Sequence, residues 1–272
     1  MSEERAAMSE ETWGAWKLEP LEPFGVVVRA AFEGEPVGKL PARLWEELVG
    51  RDGVVVARGF APPTGDALPE FGRLLGEVLE WDFGEVNELR AREGAGNYLY
   101  TNHEVPFHWD GAFVGRVPRY IVFHCEAAPP DGAGGETLFC DTRRVLEGIA
   151  PDVLESWGRI RVTYSTEKVV HYGGTFTSPL LARHPLSGEQ VLRYAEPVDD
   201  LNPVRLEIEG IAAGSRGAFL LDMRRRLRDP SVCYAHAWRD GDIVVADNHA
   251  LLHGRRAFAV SAPRHIRRVN VL

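Results

Sequence analysis

The residues in this sequence best suited to carry chemistry are His108 and Asp110, in the stretch Phe107-His108-Trp109-Asp110, and a histidine far downstream, His253. Successive side chains of a β-strand point to opposite faces. An extended stretch here therefore puts His108 and Asp110 on one face and Trp109 on the other. Two imidazoles and one carboxylate make the 2-His-1-carboxylate facial triad, which holds non-haem Fe(II) and leaves positions open for substrate and O₂. A bare His-x-Asp pair is common, so the rest of the chain must bring a third ligand to it. His253 lies in Ala246–Arg255 (ADNHALLHGR). Two ligands on one strand and a third on a distant strand are how the mouth of a β-barrel assembles a metal site.

Composition bounds the scaffold that must position them. A chain of 272 residues fits one all-β or α/β domain, and we expect a single domain over 1–272 with a polar, Glu-rich loose arm at 1–12. Hydrophobic and charged fractions of 44% and 26% are ordinary for a globular protein with a sizeable core. A formal net charge of −9 argues against a nucleic-acid partner, although the basic stretch Arg255–Arg268 supplies a local anion site. Cys125, Cys140 and Cys233 have no Cys-x-x-Cys spacing, so neither a disulfide framework nor a zinc site is expected, and a cytoplasmic setting is. No apolar run approaches a membrane span and the N-terminus does not resemble a signal peptide, so no membrane partner is expected.

Hydrophobic period and turn residues give the elements. Strands are expected around Phe24–Phe32, at Gly53–Phe60, Tyr98–Thr101, Phe107–Phe113, Tyr120–Cys125 and Glu136–Cys140, near Ile160–Tyr164 and Gln190–Tyr194, at Ile243–Ala246, and at the C-terminus ending Val269–Leu272. Helical spacing covers Pro41–Leu48, Leu68–Trp81, Thr142–Ile149, Pro151–Ser156 and Gly217–Leu227. Val198–Gly217 gives no clear signal. Many short strands with Gly/Pro turns and a few helices predict a mainly β, double-sheet fold with helices packed outside.

The chain resembles the TauD/TfdA family of Fe(II)/2-oxoglutarate-dependent dioxygenases. The matching pieces are His108-Trp109-Asp110, the segment from Ala128-Pro129 to Gly134-Gly135-Glu136-Thr137, Trp238 to Gly241-Asp242, Asp247-Asn248 with His253-Gly254-Arg255, and Arg264-His265-Ile266-Arg267-Arg268. They occur in the family's order from about residue 98 to the C-terminus. The resemblance implies a double-stranded β-helix (jelly roll) of the clavaminate synthase-like type. It also implies Fe(II) held by His108, Asp110 and His253, 2-oxoglutarate as co-substrate, O₂, and release of succinate and CO₂. Arg264 matches the arginine that pairs with the distal carboxylate of 2-oxoglutarate, where a planar guanidinium binds bidentately. Thr137 matches the threonine that helps hold that carboxylate. Arg268 matches a second arginine facing an anionic substrate or the co-substrate, and on a strand Arg267 should face away from both. Related halogenases replace the carboxylate ligand by a small residue; Asp110 is retained, so an oxygenase outcome is expected.

Within the family, the Phe-His-Trp-Asp-Gly form and the Phe-x-Cys-x-x-Ala-Pro segment are nearest to the secondary-metabolism branch that tailors amino-acid isonitriles. The expected reaction is hydroxylation, desaturation or cyclisation of a small, carboxylate-bearing, amino-acid-derived metabolite. Alternatives are a sulfonate or aryloxy-acid catabolic dioxygenase, a non-catalytic 2-oxoglutarate/metal sensor, and a zinc or manganese cupin-like enzyme with no use for Arg264 and Thr137. The sequence leaves homo-oligomerisation open. Substrate contacts are assigned to Arg268, Asn102 and Tyr98. Of Tyr98, Tyr100, Trp109 and Phe113, about half are expected to pack in the sheet and not to shape the pocket. His124 is expected to be a satisfied core histidine and His103 a surface or hydrogen-bonded residue, with pocket lining as its alternative; His171, His184, His236, His249 and His265 have no ligand-type spacing. Cys125 and Cys140 are expected to be small core hydrophobes, Met223–Arg226 a solvated helix face, and Trp238–Gly241 a structural turn.

Overall fold

The computed structural model describes residues 11–272 apart from 62, 64–66, 82, 83, 170, 171 and 213, and the side chains of 169 and 172. Its centre is a pair of facing sheets. The larger runs β1 (Glu11–Trp13), β2 (Trp16–Pro20), β3 (Val26–Arg29), β4 (Val54–Arg58), β15 (Ile243–Asp247), β7 (Tyr120–Ala127), β17 (His265–Val271) and β5 (Asn87–Arg90) across its width. The smaller runs β14 (Cys233–His236), β8 (Thr137–Asp141), β16 (Leu251–Arg255) and β6 (Val105–His108). All pairs are antiparallel except β3 with β4. This is the expected jelly roll.

Burial on both faces explains why its central strands read as continuous apolar runs. Val54, Val56, Val244 and Phe123 point inward to Phe139 and Leu251 from the opposite sheet, while Val55, Val122 and Val245 point outward. The outward face is covered by α1 (Ala42–Asp52), whose Leu44, Trp45, Leu48 and Val49 form one helical stripe, and by α2 (Ala67–Arg73). A third layer contains β9 (Arg161–Val169), β10 (Tyr172–Pro179) and β13 (Arg205–Glu209) in one sheet and β11 (Leu181–Arg183) with β12 (Gln190–Leu192) in another. With α3 (Thr142–Glu147), α4 (Pro151–Trp157) and α5 (Arg216–Leu227), it closes a separate core around Trp109, Tyr164 and Met223. No helix among the described residues is long and apolar enough to cross a membrane.

The structure departs from the sequence expectations in four places. The helix expected over Leu68–Trp81 ends at Arg73. Gly76, at φ +159, turns the chain, and Glu77–Leu79 pair with the C-terminal strand through Leu79 N–H to Asn270 O and Leu272 N–H to Glu77 O. The satisfaction of those edge groups outweighs the helical spacing. Tyr98–Tyr100 form a 3₁₀ turn capped by the Asn97 side chain, not a strand. The extended stretch from Phe107 stops at His108, and Gly111 (φ +94) starts a turn. Residues 1–10 and His171 lie outside the described residues, while Glu11 and Thr12, expected in the loose arm, begin β1.

Candidate active site

His108 closes β6 and His253 is the middle residue of β16, directly opposite it in register. Gly254 makes this approach feasible, since a Cβ there would lie 2.7 Å from Val105 O. The two imidazole rings sit 4.2 Å apart, centroid to centroid. Asp110 follows in a turn that only glycine can complete, because a Cβ on Gly111 would fall 2.2 Å from Arg116 O. Asn248 pins that turn: its Oδ1 accepts from Asp110 N–H at 2.9 Å and its Nδ2 donates to Asp110 O and Pro118 O at 3.1 and 2.9 Å. The Nε2 atoms of both histidines are then 3.8 Å from Asp110 Oδ1. The three side chains thus offer one ligand atom each within 4.8 Å of one another.

Their protonation suits a cation. His108 Nδ1–H donates to Pro106 O at 2.9 Å, which fixes the tautomer and leaves Nε2 as a lone-pair donor. Burial lowers the pKa of both imidazoles, and the proximity of His108 lowers that of His253 further, so both are neutral at physiological pH. Burial works to raise the Asp110 carboxyl, but Arg268, the two histidines and the Asn270 amide outweigh it and hold it at about 2. His253 Nε2 is buried with no hydrogen-bond partner. Two neutral imidazoles, an ionised carboxylate and an orphaned nitrogen aimed at them fit a divalent iron. Asp110 Oδ2 is held by Asn270 Nδ2 at 2.8 Å, while Oδ1, which accepts from Arg268 Nη1 at 3.3 Å, is the oxygen that faces both imidazoles.

Beside the triad lies a narrow cavity of about 30 Å³ bordered by His108, His253, Thr137, Arg255, Arg264 and Arg268. Arg264 is buried, with Nε donating to Gly135 O at 2.8 Å and Nη2 to Thr137 Oγ1 at 3.3 Å. Gly135 leaves room for it, since a Cβ there would lie 2.9 Å from Arg264 Cδ. Trp238 Nε1 also donates to Thr137 Oγ1, at 3.1 Å. With two donors on that oxygen, the Thr137 hydroxyl proton is free to donate to a third group. Burial, reinforced by the charge of Arg255, lowers the Arg264 guanidinium to about 9, which still leaves it charged at neutral pH and in need of an anion. Three arginines against one carboxylate make this end of the site strongly positive.

On the other side of the triad opens a cavity of about 750 Å³, walled by Tyr98, Tyr100, Phe107, Trp109, Phe113 and Tyr164. Its size is that of a small-molecule site. The residues of the triad, the flanking arginine cavity and this aromatic chamber together follow the plan of one enzyme family, and the sequence comparison agrees. The model of the taurine catabolism dioxygenase TauD, TfdA family matches residues 17–270. The chain belongs to the TauD/TfdA family. It is 40% identical over 268 residues to a 3-((Z)-2-isocyanoethenyl)-1H-indole synthase of Fischerella ambigua, covering 97% of this chain and 98% of that one. It is 39% identical over 254 residues to a tyrosine isonitrile desaturase of Pseudomonas aeruginosa, covering 91% and 87%. The crystal structure of the PvcB protein from Pseudomonas aeruginosa superposes with a TM-score of 0.83 at 36% identity, covering 97% of this chain and 94% of that one. A second PvcB structure, described as an Fe, alpha-ketoglutarate dependent oxygenase from an isonitrile synthetic pathway, gives 0.80 at 37% identity over 94% and 92%.

This TauD/TfdA enzyme is an Fe(II)/2-oxoglutarate-dependent dioxygenase, an oxidoreductase that consumes O₂ and acts on a small molecule. Its structure brings together His108, Asp110 and His253 at one point, Thr137 and Arg264 at the narrow cavity, and Arg268 and Tyr98 at the large one. Arg268 Nη1 lies 3.0 Å from Asp110 Oδ2, and Arg267 turns away to Glu88 and Glu126, as the strand alternation predicts. Asn102 is not brought to the site: it lines neither cavity, and its Nδ2 donates to Phe258 O at 3.0 Å. All four aromatics, Tyr98, Tyr100, Trp109 and Phe113, border the large cavity, more than the half that sheet packing left for it. Trp109 does both, since its ring packs edge-on against Tyr164, 5.6 Å away.

The remaining expectations sort by their partners. Cys125 and Cys140 are buried, and the arginines after Met223 mostly pair with Asp222 and Glu104 on the outer face of α5. Trp238–Gly241 forms the turn expected, though Trp238 also reaches Thr137. His184 donates to Asp247 and His236 lies between Tyr234 and Asp242. His103 is exposed beside Asp200. His124 is buried, but neither ring nitrogen is hydrogen-bonded, so it is not the satisfied core histidine expected. Residues that sequence reasoning passed over include Asn248 and Asn270, which hold Asp110, and Asn87 at the cavity floor; Asp247-Asn248 within the matched motif was the one signal available.

Proposed function

We propose that this dioxygenase desaturates an aromatic amino-acid-derived isonitrile, a 2-isocyano-3-arylpropanoate, in a secondary-metabolic route. In this reading His108, Asp110 and His253 hold the iron, and Arg264 with Thr137 binds the distal carboxylate of 2-oxoglutarate. Arg268 faces the substrate's carboxylate. The observation that carries it is the aromatic chamber opening on a triad flanked by Arg268: it suits a flat ring with a carboxylate held beside the metal. The tyrosine isonitrile desaturase at 39% identity supports the same reaction, and the synthase at 40%, named for an isocyanoethenyl indole, supports the aryl isonitrile class.

When bound, iron with 2-oxoglutarate and O₂ supplies the oxidising power. The chain's own residues do the rest. Asn270 and Asn248 keep one Asp110 oxygen presented to the metal, Arg264 and Thr137 orient the co-substrate, and the apolar walls exclude water from the reacting carbons. The balance is removal of two hydrogens from adjacent substrate carbons, with O₂ reduced, 2-oxoglutarate converted to succinate and CO₂, and one water formed. The protein works as a single domain in the cytoplasm. Incubation with Fe(II), 2-oxoglutarate and a 2-isocyano-3-arylpropanoate tests the reading. An alkene with stoichiometric succinate is expected, and succinate release with sulfonates or aryloxy acids but with no isonitrile would replace it.

A further inference from the structure

We propose that Asn87 is a second donor to the substrate's carboxylate. With Arg268 it forms a two-donor anion site on the floor of the large cavity, and this pair selects an acid over its neutral ester. The inference rests on the isonitrile-acid reading and adds to it a residue and a specificity.

Asn87 of β5 and Arg268 of β17 are directly opposite each other in the antiparallel register. Cross-strand partners share a face of the sheet with their Cβ atoms about 5 Å apart, and both residues border the same cavity. Each is more than nine-tenths buried, at 5% and 7% exposure. The Asn87 side chain is oriented by one contact: the Tyr100 hydroxyl donates to its Oδ1 at 3.0 Å. Tyr100 is itself held by the Arg92 guanidinium 4.8 Å from its ring centroid and by Arg92 N–H to its carbonyl at 2.9 Å. With the oxygen engaged, the amide presents its NH₂, which has no hydrogen-bond partner among the described residues.

Arg268 keeps capacity for the same ligand. Nη1 contacts Asp110, while the buried Nε has no hydrogen-bond partner. A carboxylate has two oxygens to satisfy, and a guanidinium beside an amide NH₂ satisfies both with charge and direction. The placement also has a consequence for chemistry. Because Arg268 touches the metal-facing Asp110, an acid seated on this pair brings the carbons adjacent to its carboxylate next to the triad.

The test compares 2-isocyano-3-(4-hydroxyphenyl)propanoate with its methyl ester in the wild type, Asn87→Ala, Asn87→Asp and Tyr100→Phe. Substrate-dependent succinate release gives KM for the acid, and the ester is measured as a substrate or as a competitive inhibitor. Asn87→Ala should raise the acid KM roughly tenfold, Asn87→Asp by about 100-fold through like-charge repulsion, and Tyr100→Phe about threefold, with the ester changed by less than about twofold throughout. An acid-to-ester ratio that stays at the wild-type value in Asn87→Asp, or acid and ester weakened together in every variant, overturns the proposal. Failure of the wild type to turn over the acid overturns the isonitrile reading and this inference with it; normal wild-type turnover with an unchanged ratio overturns this inference alone.

Discussion

The two sides of the triad are built on different plans. The side with the arginine-lined cavity comes from central strands β8 and β16 and the residues leading into β17, and its polar atoms bond to fixed neighbours: Arg264 to Gly135 and Thr137, Thr137 to Trp238, Arg255 to the carbonyls of Leu99, Thr101 and His103. The chamber side is assembled from a 3₁₀ turn at Tyr98–Tyr100, the turn after Asp110, the face of β9 and the irregular stretch from Ala195 to Val204. That stretch includes Leu201 and Asn202, both at positive φ without being glycine. A charge site demands rigid donors, because an unpaired buried ion is costly. An apolar chamber demands only shape, which loops supply and which can change without disturbing the metal. The polar residues around the triad are thus held largely by the sheets, and the shape of the chamber's walls is set largely by the loops.

That division can be broken by substitution. The largest effect should come from His253→Ala, which removes the orphaned nitrogen facing Asp110. Metal-dependent turnover should fall by on the order of 10³-fold or more, and the thermal stabilisation that added Mn(II) or Fe(II) gives the wild type should disappear. Next, Arg264→Ala should raise KM for 2-oxoglutarate by about 100-fold while the substrate KM moves less than about twofold, read from succinate release at varied co-substrate. Phe113→Ala should show the reverse, a roughly tenfold rise in substrate KM with 2-oxoglutarate unaffected, because what is lost is apolar contact in the chamber. Equal shifts of both constants in either variant would dissolve the two-sided description.

The smallest effect concerns the turn that supports Asp110 from behind. His249 Nδ1 accepts from Arg193 at 2.8 Å; burial first, and the Arg193 charge second, lower its pKa to about 4. In the unfolded chain it titrates near 6.5. Between those values the unfolded chain takes up a proton that the folded protein refuses, so stability is complete above about pH 6.5 and falls as the pH drops toward 4. His249→Gln, which can accept from Arg193 without titrating, should flatten this slope in denaturation midpoints measured at pH 4.5 and 7. An unchanged slope would place the acid sensitivity elsewhere.

The same division governs what the sequence could reveal. The meeting of His108, Asp110 and His253 was expected from their residue types together with the family resemblance, and the placing of Thr137, Arg264 and Arg268 beside them from the resemblance alone, whereas the double-sheet fold was readable because β-branched runs between turn residues have one simple solution. The chamber was not readable. Tyr98 and Phe113 are aromatic residues in stretches that look extended, and the 3₁₀ turns that aim them are set by Asn97 capping and by Gly111, not by a period. The helix over Leu68–Trp81 was lost at Gly76 to pairing with the C-terminal strand, a long-range competitor that no local window contains. Asn87, Asn248 and Asn270 carry no pattern either; each acquires its role only when a distant strand or turn arrives beside it.

The account is tested most directly by the product of a single incubation of the iron-loaded enzyme with 2-oxoglutarate, O₂ and a 2-isocyano-3-arylpropanoate, analysed by mass spectrometry alongside succinate. It predicts an alkene formed by loss of two hydrogens, one succinate for each alkene, and no product without the aryl isonitrile acid. A product heavier by one oxygen atom, or substrate returned intact while succinate accumulates, would contradict it.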